Sequence, residues 1–321
     1  MSRTRSTRTH LIAFGLAVGL LGAPLADAAT PVRIGYQKSS TLISLLKSQG
    51  SLEQALAKQD IQISWHEFPN GQPLLEALNV GNIDLSADVA DTVPVFAQAA
   101  GAQLTYFAQE APSPGAQAII VRDDSPLHSV AELKGKKIAV TKAAGSHYLL
   151  LAALARAGLK FSDIEPAYLT PADGRAAFEN RKVDAWVTWE PFLSGAQQQL
   201  PTRTLADGTA LADYQRYYLT STGFAKAHPE VLAVVFAELV KTGEWLRANP
   251  ADAAKVLGPL WGNLDPAIVQ QANARRSYEV RKVQPGSLQE QQKIADVFFA
   301  EGLLPKRVDV LDVAIWPAEQ P

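Results

Sequence analysis

Hydroxyl, amide and carboxyl side chains gather in four short segments, each of which follows an apolar run typical of a β-strand. The segments are Gln37 to Thr41, Ser86 to Thr92, Lys142 to His147 and Thr188 to Pro191. Each also precedes a predicted helix, and the first turn of a helix presents unpaired N–H groups and a partial positive charge. Neutral donors of this kind bind small anions without arginine or lysine. The four segments therefore predict an anion-binding site.

The hydroxyl groups of Ser39, Ser40, Thr41, Ser146 and Thr188 stand at these helix starts and add further donors. Any one of them could instead be an ordinary N-cap, which is a common role of serine and threonine. For the set as a whole, a ligand-binding role is favoured over capping, because the helix starts recur at the carboxyl ends of strands, where ligands of α/β sheets are held.

Three tryptophans, Trp65, Trp186 and Trp189, are candidates for an apolar wall of the same site. Trp186 lies in the middle of an apolar strand, which predicts a core position. Trp189 follows the predicted end of that strand and precedes Glu190 and Pro191. We expect its indole ring to face the cleft and to pack an alkyl or aryl group of the ligand.

Signals of catalysis are weak. The chain has no Gly-x-Ser-x-Gly elbow, no phosphate loop ending in Gly-Lys-Ser/Thr and no His-Glu-x-x-His motif. Of its five histidines, His147 alone falls in one of the four segments, where a hydrogen-bonding role fits better than that of a base. No other His, Asp or Glu accompanies it at metal-ligand spacing. The sequence predicts no catalytic residue, no metal and no cofactor.

The N-terminus predicts export from the cytoplasm. Arg3, Arg5 and Arg8 precede an apolar run from Leu11 to Leu21, and small residues follow at Ala26-Asp27-Ala28. This is the pattern of a Sec signal peptide, which we place at residues 1–28. Eleven apolar residues are too few to cross a bilayer core, which needs about 20.

Composition narrows the compartment and the partners. The chain contains no cysteine, so it has no disulfide and no thiol that could carry a lipid anchor. We therefore expect it in the periplasm of a double-membraned bacterium. Its formal net charge of -2 and its interspersed signs argue against binding to nucleic acid or to anionic membranes.

The elements that must position these residues alternate between short β-rich runs and amphipathic helical runs, the signature of an α/β protein with mostly parallel sheets flanked by helices. The chain should form two lobes, with residues 29–120 and 222–321 in the first and residues 121–221 in the second. It would cross between them near Ala118 to Arg122 and near Tyr218 to Thr222. Two short crossings favour a hinge.

Several motifs carry a resemblance to the periplasmic aliphatic-sulfonate-binding proteins, and they span nearly the whole mature chain. They are Ile34-Gly35-Tyr36-Gln37-Lys38 with the following Ser39, Ser40 and Thr41, Leu74 to Gly81, Val95 to Ala102, Pro112-Ser113-Pro114, Tyr168 to Asp173, Val183 to Trp186 and Leu304-Pro305-Lys306. The resemblance implies a two-lobed periplasmic binding protein fold of type II. It also implies a protein that captures a small organosulfonate and delivers it to the permease of an inner-membrane ABC importer. We expect the protein to be a monomer.

Carried over by position, the resemblance places ligand contacts at the helix starts. These are Ser40, Thr41 and Leu42 at the first helix start, Gly145, Ser146 and His147 at the second, and Trp189 at the third. The polar segments themselves add Gln37, Asp88, Asp91 and Glu190 to the predicted ligand-binding residues. A sulfonate is ionised at any biological pH and offers three acceptor oxygens, which suits neutral donors.

Two departures from the family pattern leave the ligand open. The family often has a short, glycine-rich loop where this chain has Ser86 to Thr92, which adds the carboxylates of Asp88 and Asp91. Asp91 is expected to cap the next helix. If Asp88 faces the cleft, it would bind the amine of a zwitterionic ligand. The second departure is the run from Gly145 to Tyr148, which resembles the taurine-binding relatives.

The leading hypothesis is thus a sulfonate-binding transport component. Within the binding proteins, the alternatives are a sulfate ester, taurine or another small oxyanion. An alternative of another class is an enzyme on the same fold that makes a pyrimidine precursor, which would depend on His147.

Overall fold

Residues 30–317 are described by a computed structural model of the protein. The predicted signal peptide, residues 1–28, lies outside the described residues. Within residues 30–317, no helix has the length and apolar character needed to cross a bilayer.

Residues 30–317 form twelve strands and twelve α-helices. The strands are β1 (Thr30–Gln37), β2 (Ile61–Phe68), β3 (Leu85–Ala90), β4 (Leu104–Glu110), β5 (Gln117–Arg122), β6 (Lys137–Val140), β7 (Glu165–Tyr168), β8 (Ala185–Trp189), β9 (Thr202–Asp207), β10 (Arg216–Ser221), β11 (Val280–Arg281) and β12 (Ala314–Ile315). The helices are α1 (Thr41–Gln49), α2 (Ser51–Leu56), α3 (Gly71–Asn79), α4 (Thr92–Ala99), α5 (Gly145–Arg156), α6 (Pro171–Glu179), α7 (Phe192–Gln199), α8 (Thr222–Ala227), α9 (Pro229–Ala248), α10 (Pro250–Leu260), α11 (Pro266–Ala274) and α12 (Gln289–Ala300).

The strands form two sheets. Seven strands make the first sheet, in the order β11-β4-β10-β3-β1-β2 with β12 also paired to β4. Five strands make the second, in the order β7-β6-β8-β5-β9. We call the first sheet with its helices lobe 1 and the second sheet with its helices lobe 2.

The two sheets confirm the predicted α/β class and refine the predicted strand directions. β1 runs parallel to β2 and β3, and β6 runs parallel to β7 and β8. By contrast, β10 is antiparallel to both of its neighbours, and so is β5. Each sheet is therefore mixed, because the strand beside each crossing between the lobes runs against the βαβ units.

Sheet membership corrects the predicted lobe boundaries. β5 belongs to the five-stranded sheet and β10 to the seven-stranded sheet, so the chain crosses at residues 111–116 and 208–215. The sequence places both crossings several residues too late, inside these two strands. The reason is that apolar periodicity identifies a strand but not the sheet that it joins.

Each sheet is covered by apolar side chains on both faces. In lobe 1, one cluster packs against α1, α2, α9, α10 and α11, and a second packs against α3, α4 and α12. The second cluster also contains Ala144, Leu151 and Trp189 from lobe 2. The apolar core is therefore continuous across the two lobes.

The third strand is longer than its sequence indicates. The apolar run Ile83-Asp84-Leu85 predicts a strand that ends before Ser86, whereas β3 begins only at Leu85 and continues to Ala90 with every residue buried. β3 lies between β1 and β10, where Val89 pairs with Tyr217 and Ala90 with Arg216. Cross-strand pairing supplies the backbone hydrogen bonds, so a polar sequence is held in extended form.

Candidate anion-binding site between the lobes

The carboxyl ends of strands from both sheets meet between the lobes. Gly145, at the start of α5, packs closely on lobe 1 and on the second crossing segment. A Cβ at this position would lie 2.9 Å from the Cβ of Ala90 in β3 and 2.6 Å from a ring carbon of Tyr214 in the crossing segment. Trp189, at the end of β8, belongs to the same apolar cluster as these side chains. Three of the four predicted segments therefore converge here.

The fourth segment, Gln37 to Thr41, is joined to this group through β3. The Gln37 side-chain amide donates a hydrogen bond to the carbonyl oxygen of Asp88 over 3.0 Å. Ser40 and Thr41 are buried, and Ser40 stands at the N-cap of α1 without bonding the helix through its side chain. The N–H group of Leu42 donates to no acceptor in the described part of the chain. The start of α1 thus keeps an open backbone donor.

The start of α5 also keeps open backbone donors. Its N-cap is Ala144, which has no side-chain acceptor, and the N–H groups of Gly145 and Ser146 bond no other group of residues 30–317. The Ser146 hydroxyl is completely buried and has no hydrogen-bond partner within that range. Ala143 adopts a positive φ of 60°, which strains a residue with a Cβ. Strain of this kind is typical of binding segments.

The other two helix starts are occupied by carboxylates of the protein itself. Asp91 accepts hydrogen bonds from the N–H groups of Thr92 at 2.9 Å and Gln215 at 3.0 Å, so it caps α4 as expected. Glu190 accepts from the N–H group of Ser194 at 3.1 Å and from its hydroxyl at 2.8 Å, and so caps α7. The open helix starts are those of α1 and α5, one from each lobe.

Asp88 lies inside β3, not in a loop, and its charge is balanced by arginine. Its Oδ2 atom accepts from Arg216 at 2.5 Å and from Arg276 at 3.1 Å. Arg276 also donates to both oxygens of Glu110, at 2.9 and 2.7 Å, and Tyr218 donates to Glu110 at 2.8 Å. Two carboxylates and two guanidinium groups form a buried ionic cluster, defined here as Asp88, Glu110, Arg216 and Arg276.

The ionic cluster also orders the start of α1. Arg276 donates to the carbonyl oxygen of Ser39 at 2.9 Å and to the Thr41 hydroxyl at 3.1 Å. Burial by itself would lower the pKa of Arg276, but Glu110 and Asp88 raise it well above its usual value. The guanidinium therefore stays charged.

Sequence reasoning misses both arginines and Glu110. The available signal is a single charged residue within an otherwise apolar strand, as at Arg216 before Tyr217, and at Asp88 between Ala87 and Val89. A charge in such a place needs a buried partner of opposite sign. The sequence contains this requirement but does not identify the partner.

Further polar atoms are buried here without a hydrogen-bond partner in residues 30–317. They are Ser39 Oγ, Asp88 Oδ1, both side-chain amide atoms of Gln117, Ser146 Oγ, Thr188 Oγ1 and Arg276 Nε. Gln117 on β5 pairs with Trp189 on β8, next to Thr188, and sequence reasoning misses it. Because buried polar groups normally have partners, these atoms mark a place where a polar ligand or water binds.

His147 is an aromatic wall residue in a dry environment. Its ring lies 5.3 Å from Phe161, 5.6 Å from Tyr168 and 5.0 Å from Phe298 of lobe 1, between ring centroids. Burial, with a smaller effect of Lys142, lowers the pKa of His147 to about 3. The imidazole is neutral at physiological pH, and its Nδ1 accepts from the N–H group of Ala143 at 3.3 Å. A base of such low pKa is poorly suited to proton abstraction.

The tryptophans divide as follows. Trp186 is a core residue, packed on Phe178, as predicted. Trp189 ends β8 instead of following it, and its buried indole packs edge-on against Phe192 with ring centroids 5.7 Å apart. Trp65 lies on β2, at the edge of the seven-stranded sheet, and donates to Glu53.

The described residues contain no cluster of three or more potential metal ligands. The site offers neutral donors, two open helix starts and an ionic cluster whose formal charges cancel. This arrangement can bind a small, permanently charged anion through directed hydrogen bonds.

Comparison with known proteins fits this geometry. Residues 56–253 match the family described as NMT1/THI5 like. A protein of Escherichia coli strain K12, described as a putative aliphatic sulfonates-binding protein, is 40% identical over 305 residues, which cover 95% of this chain and 94% of the relative. The chain belongs to the family of periplasmic aliphatic-sulfonate-binding proteins.

Solved structures agree with this assignment. The periplasmic aliphatic sulphonate binding protein of Escherichia coli superimposes with a TM-score of 0.80 at 41% identity, over 89% of this chain and 97% of that one. The alkanesulfonate-binding protein of Xanthomonas axonopodis pv. citri, bound to MOPS, superimposes with a TM-score of 0.83 at 41% identity, over 89% and 98%. The predicted two-lobed periplasmic binding protein fold is thus confirmed.

The ionic cluster should be essential for stability. Arg276→Met leaves the carboxylates of Glu110 and Asp88 buried and under-compensated, so the free energy of unfolding should fall by about 3–5 kcal/mol. Urea denaturation monitored by circular dichroism measures it. The control is Arg281→Met, which breaks an exposed pair with Glu279 and should cost about 1 kcal/mol or less. If the free energy of unfolding fell by the same small amount in Arg276→Met and Arg281→Met, a structural role for the cluster would be contradicted.

Asp91 should make stability depend on pH. Burial raises its pKa to about 7, although hydrogen bonds from Gln215 and Thr92 oppose the shift. Since the pKa is raised on folding, the stability due to Asp91 is complete below about pH 4 and is lost as pH rises through 7. The free energy of unfolding should therefore decline more steeply over this range in wild type than in Asp91→Asn. If the free energy of unfolding declined equally steeply with pH in wild type and in Asp91→Asn, another group would be responsible.

Proposed function

We propose that the protein captures an aliphatic sulfonate in the periplasm and delivers it to the permease of an ABC importer. The observation that carries the proposal is the pair of open helix starts, α1 from lobe 1 and α5 from lobe 2. One anion held between them bonds both lobes at once, so binding favours closure of the lobes.

The donors fit the sulfonate group. Its three oxygens are acceptors only, and the open donors include the N–H groups of Leu42, Gly145 and Ser146 and the Ser146 hydroxyl. Gln117 and Thr188, on the adjacent strands β5 and β8 of lobe 2, supply further unpaired donors. The Thr41 hydroxyl is already bonded to Arg276 and Tyr278, so we assign it to positioning the start of α1.

The ionic cluster removes an electrostatic obstacle. An isolated carboxylate at Asp88 would repel a sulfonate by roughly 1–4 kcal/mol at a distance of 4 Å, depending on the surroundings. Because Arg216 and Arg276 bond its Oδ2 atom, that repulsion is largely cancelled. A plain alkyl sulfonate can then bind beside Asp88 without an amine of its own.

Binding without turnover is the function that the site chemistry supports. His147 is the residue on which an enzyme would depend, and its depressed pKa leaves it neutral and without a proton-accepting role at physiological pH. The Escherichia coli and Xanthomonas axonopodis relatives at 40–41% identity are sulfonate-binding proteins by name. Sulfate esters, taurine and other small oxyanions remain alternatives that a ligand screen would separate.

Delivery, location and oligomeric state complete the proposal. Residues 1–28 would direct export and be removed, and the chain would then act as a monomer whose closed lobes dock on an inner-membrane permease. The Escherichia coli relative of known structure is periplasmic by its description, which supports this location.

Ser146→Ala tests the central claim. The substitution removes one hydroxyl donor to a charged ligand, worth roughly 1.5–3 kcal/mol, so the affinity for an alkyl sulfonate should fall about 10- to 150-fold. Titration calorimetry measures the affinity, and the thermal midpoint without ligand should not change. Ser64→Ala, on the edge strand β2, is the matched control. An unchanged affinity in Ser146→Ala would exclude its hydroxyl from the site.

Ethanesulfonate and its 2-amino derivative, taurine, test the role of Asp88. An added ammonium group near Asp88 would also approach the guanidinium groups of Arg216 and Arg276, which repel it. We therefore expect wild type to bind the amine no more tightly than the plain alkyl compound. A tenfold preference for the amine in calorimetry would instead assign Asp88 Oδ1 to the ligand.

A further inference from the structure

We propose that Arg275 is a positioning residue that binds Glu190 across the cleft and thereby holds the lobe 2 wall of the site against lobe 1. This inference rests on the proposed function and identifies a residue that controls how long the ligand is retained. Arg275 is distinct from the ligand-facing donors, because its contacts are to protein groups.

The contacts of Arg275 are dense and directed. Its Nη1 donates to Glu190 Oε1 at 2.5 Å and to the Ser194 hydroxyl at 3.3 Å. Nη1 and Nη2 both donate to Gln197 Oε1 at 3.1 Å. A planar guanidinium that makes several such bonds fixes the orientation as well as the distance of its partner.

The partners belong to different lobes. Arg275 is the C-cap of α11, whose apolar residues Val269 and Ala272 pack in the core of lobe 1. Glu190 follows β8 in the five-stranded sheet, and Ser194 lies in α7. The bridge can therefore form only when the two lobes are together.

Glu190 is connected to the ligand wall. It directly follows Thr188 and Trp189, and its own N–H group donates to the carbonyl oxygen of Ala116 at 2.9 Å. Its carboxylate also caps α7 through Ser194. When Arg275 holds this carboxylate, it therefore fixes the segment that presents the Thr188 hydroxyl.

The neighbouring arginine holds the opposite wall. Arg276 bonds Ser39 and Thr41 at the start of α1, whereas Arg275 bonds Glu190 in lobe 2. Arg275 and Arg276 thus each fix one wall of the proposed ligand site. Because the two residues are adjacent in the chain, they also set the distance between the two walls.

Burial explains why the bridge favours the closed arrangement and still permits opening. The Glu190 side chain is 2% exposed, and burial raises its pKa despite the opposing effect of Arg275. The Arg275 side chain is 26% exposed and borders a polar groove of about 550 Å³, also lined by Gln197 and Gln271. Arg275 can be hydrated when the lobes part, while Glu190 keeps its bonds to Ser194.

Arg275→Gln tests the bridge, with Arg175→Gln as the matched control. Arg175 also pairs with a glutamate, Glu179, and contacts Gln199 of α7, but all three residues belong to lobe 2. Stopped-flow fluorescence measures association and dissociation of ethanesulfonate. We expect dissociation to be about tenfold faster in Arg275→Gln with little change in association, and wild-type rates in Arg175→Gln.

A second experiment measures the distance between the lobes in the ligand-free protein. Since the chain has no cysteine, Lys58→Cys in lobe 1 and Lys160→Cys in lobe 2, both exposed, accept a fluorophore pair for energy transfer. Arg275→Gln should shift the distance distribution of the free protein towards larger separations, and Arg275→Lys should restore it in part.

The outcomes separate the two proposals. If no sulfonate binds wild type, the proposed function fails, and the energy-transfer shift still decides whether the bridge holds the lobes together. Unchanged lobe distances in Arg275→Gln would overturn the bridge, as would wild-type dissociation of the bound sulfonate. A lower free energy of unfolding with neither change would make Arg275 a purely structural residue and would also overturn it.

Discussion

The pairing of Asp88 with Arg216 and Arg276 is the interaction on which the rest of the site depends. It joins the central strands β3 and β10 and draws in Glu110 from β4. The same Arg276 fixes the carbonyl oxygen of Ser39 and so the start of α1. Buried charges tolerate little displacement, because any lost partner leaves an uncompensated ion. The cluster therefore sets the geometry of the lobe 1 wall.

The cluster also explains how an anion site can exist without a dedicated cation. The formal charges of its two carboxylates and two guanidinium groups cancel, so in the proposed site the attraction for a sulfonate would come from directed donors and helix dipoles. Two of the four helix starts are already capped by Asp91 and Glu190. The protein's own carboxylates thus leave one open start in each lobe, and these are the two starts that the proposed ligand would bridge.

Contacts between the lobes flank the proposed ligand position. Gly145 packs against Tyr214 in the second crossing segment, and His147 packs against Phe298 of lobe 1. The Arg275–Glu190 bridge adds a polar contact at the edge. Apolar contacts of this kind are non-directional, whereas the bridge specifies one relative orientation of the lobes.

The sequence by itself determined the α/β class, the helix starts, the cap at Asp91 and the core position of Trp186, because local periodicity and capping chemistry act within a few residues. The cap of α6 is equally local: the Thr170 hydroxyl accepts from the N–H group of Asp173, three residues away. Tertiary structure decided the extent of β3, the lobe boundaries and the partners of the buried charges. Asp88 pairs with arginines 128 and 188 residues away, and Glu190 with one 85 residues away. Such pairs depend on strand order and lobe closure, which apolar periodicity along the chain does not encode.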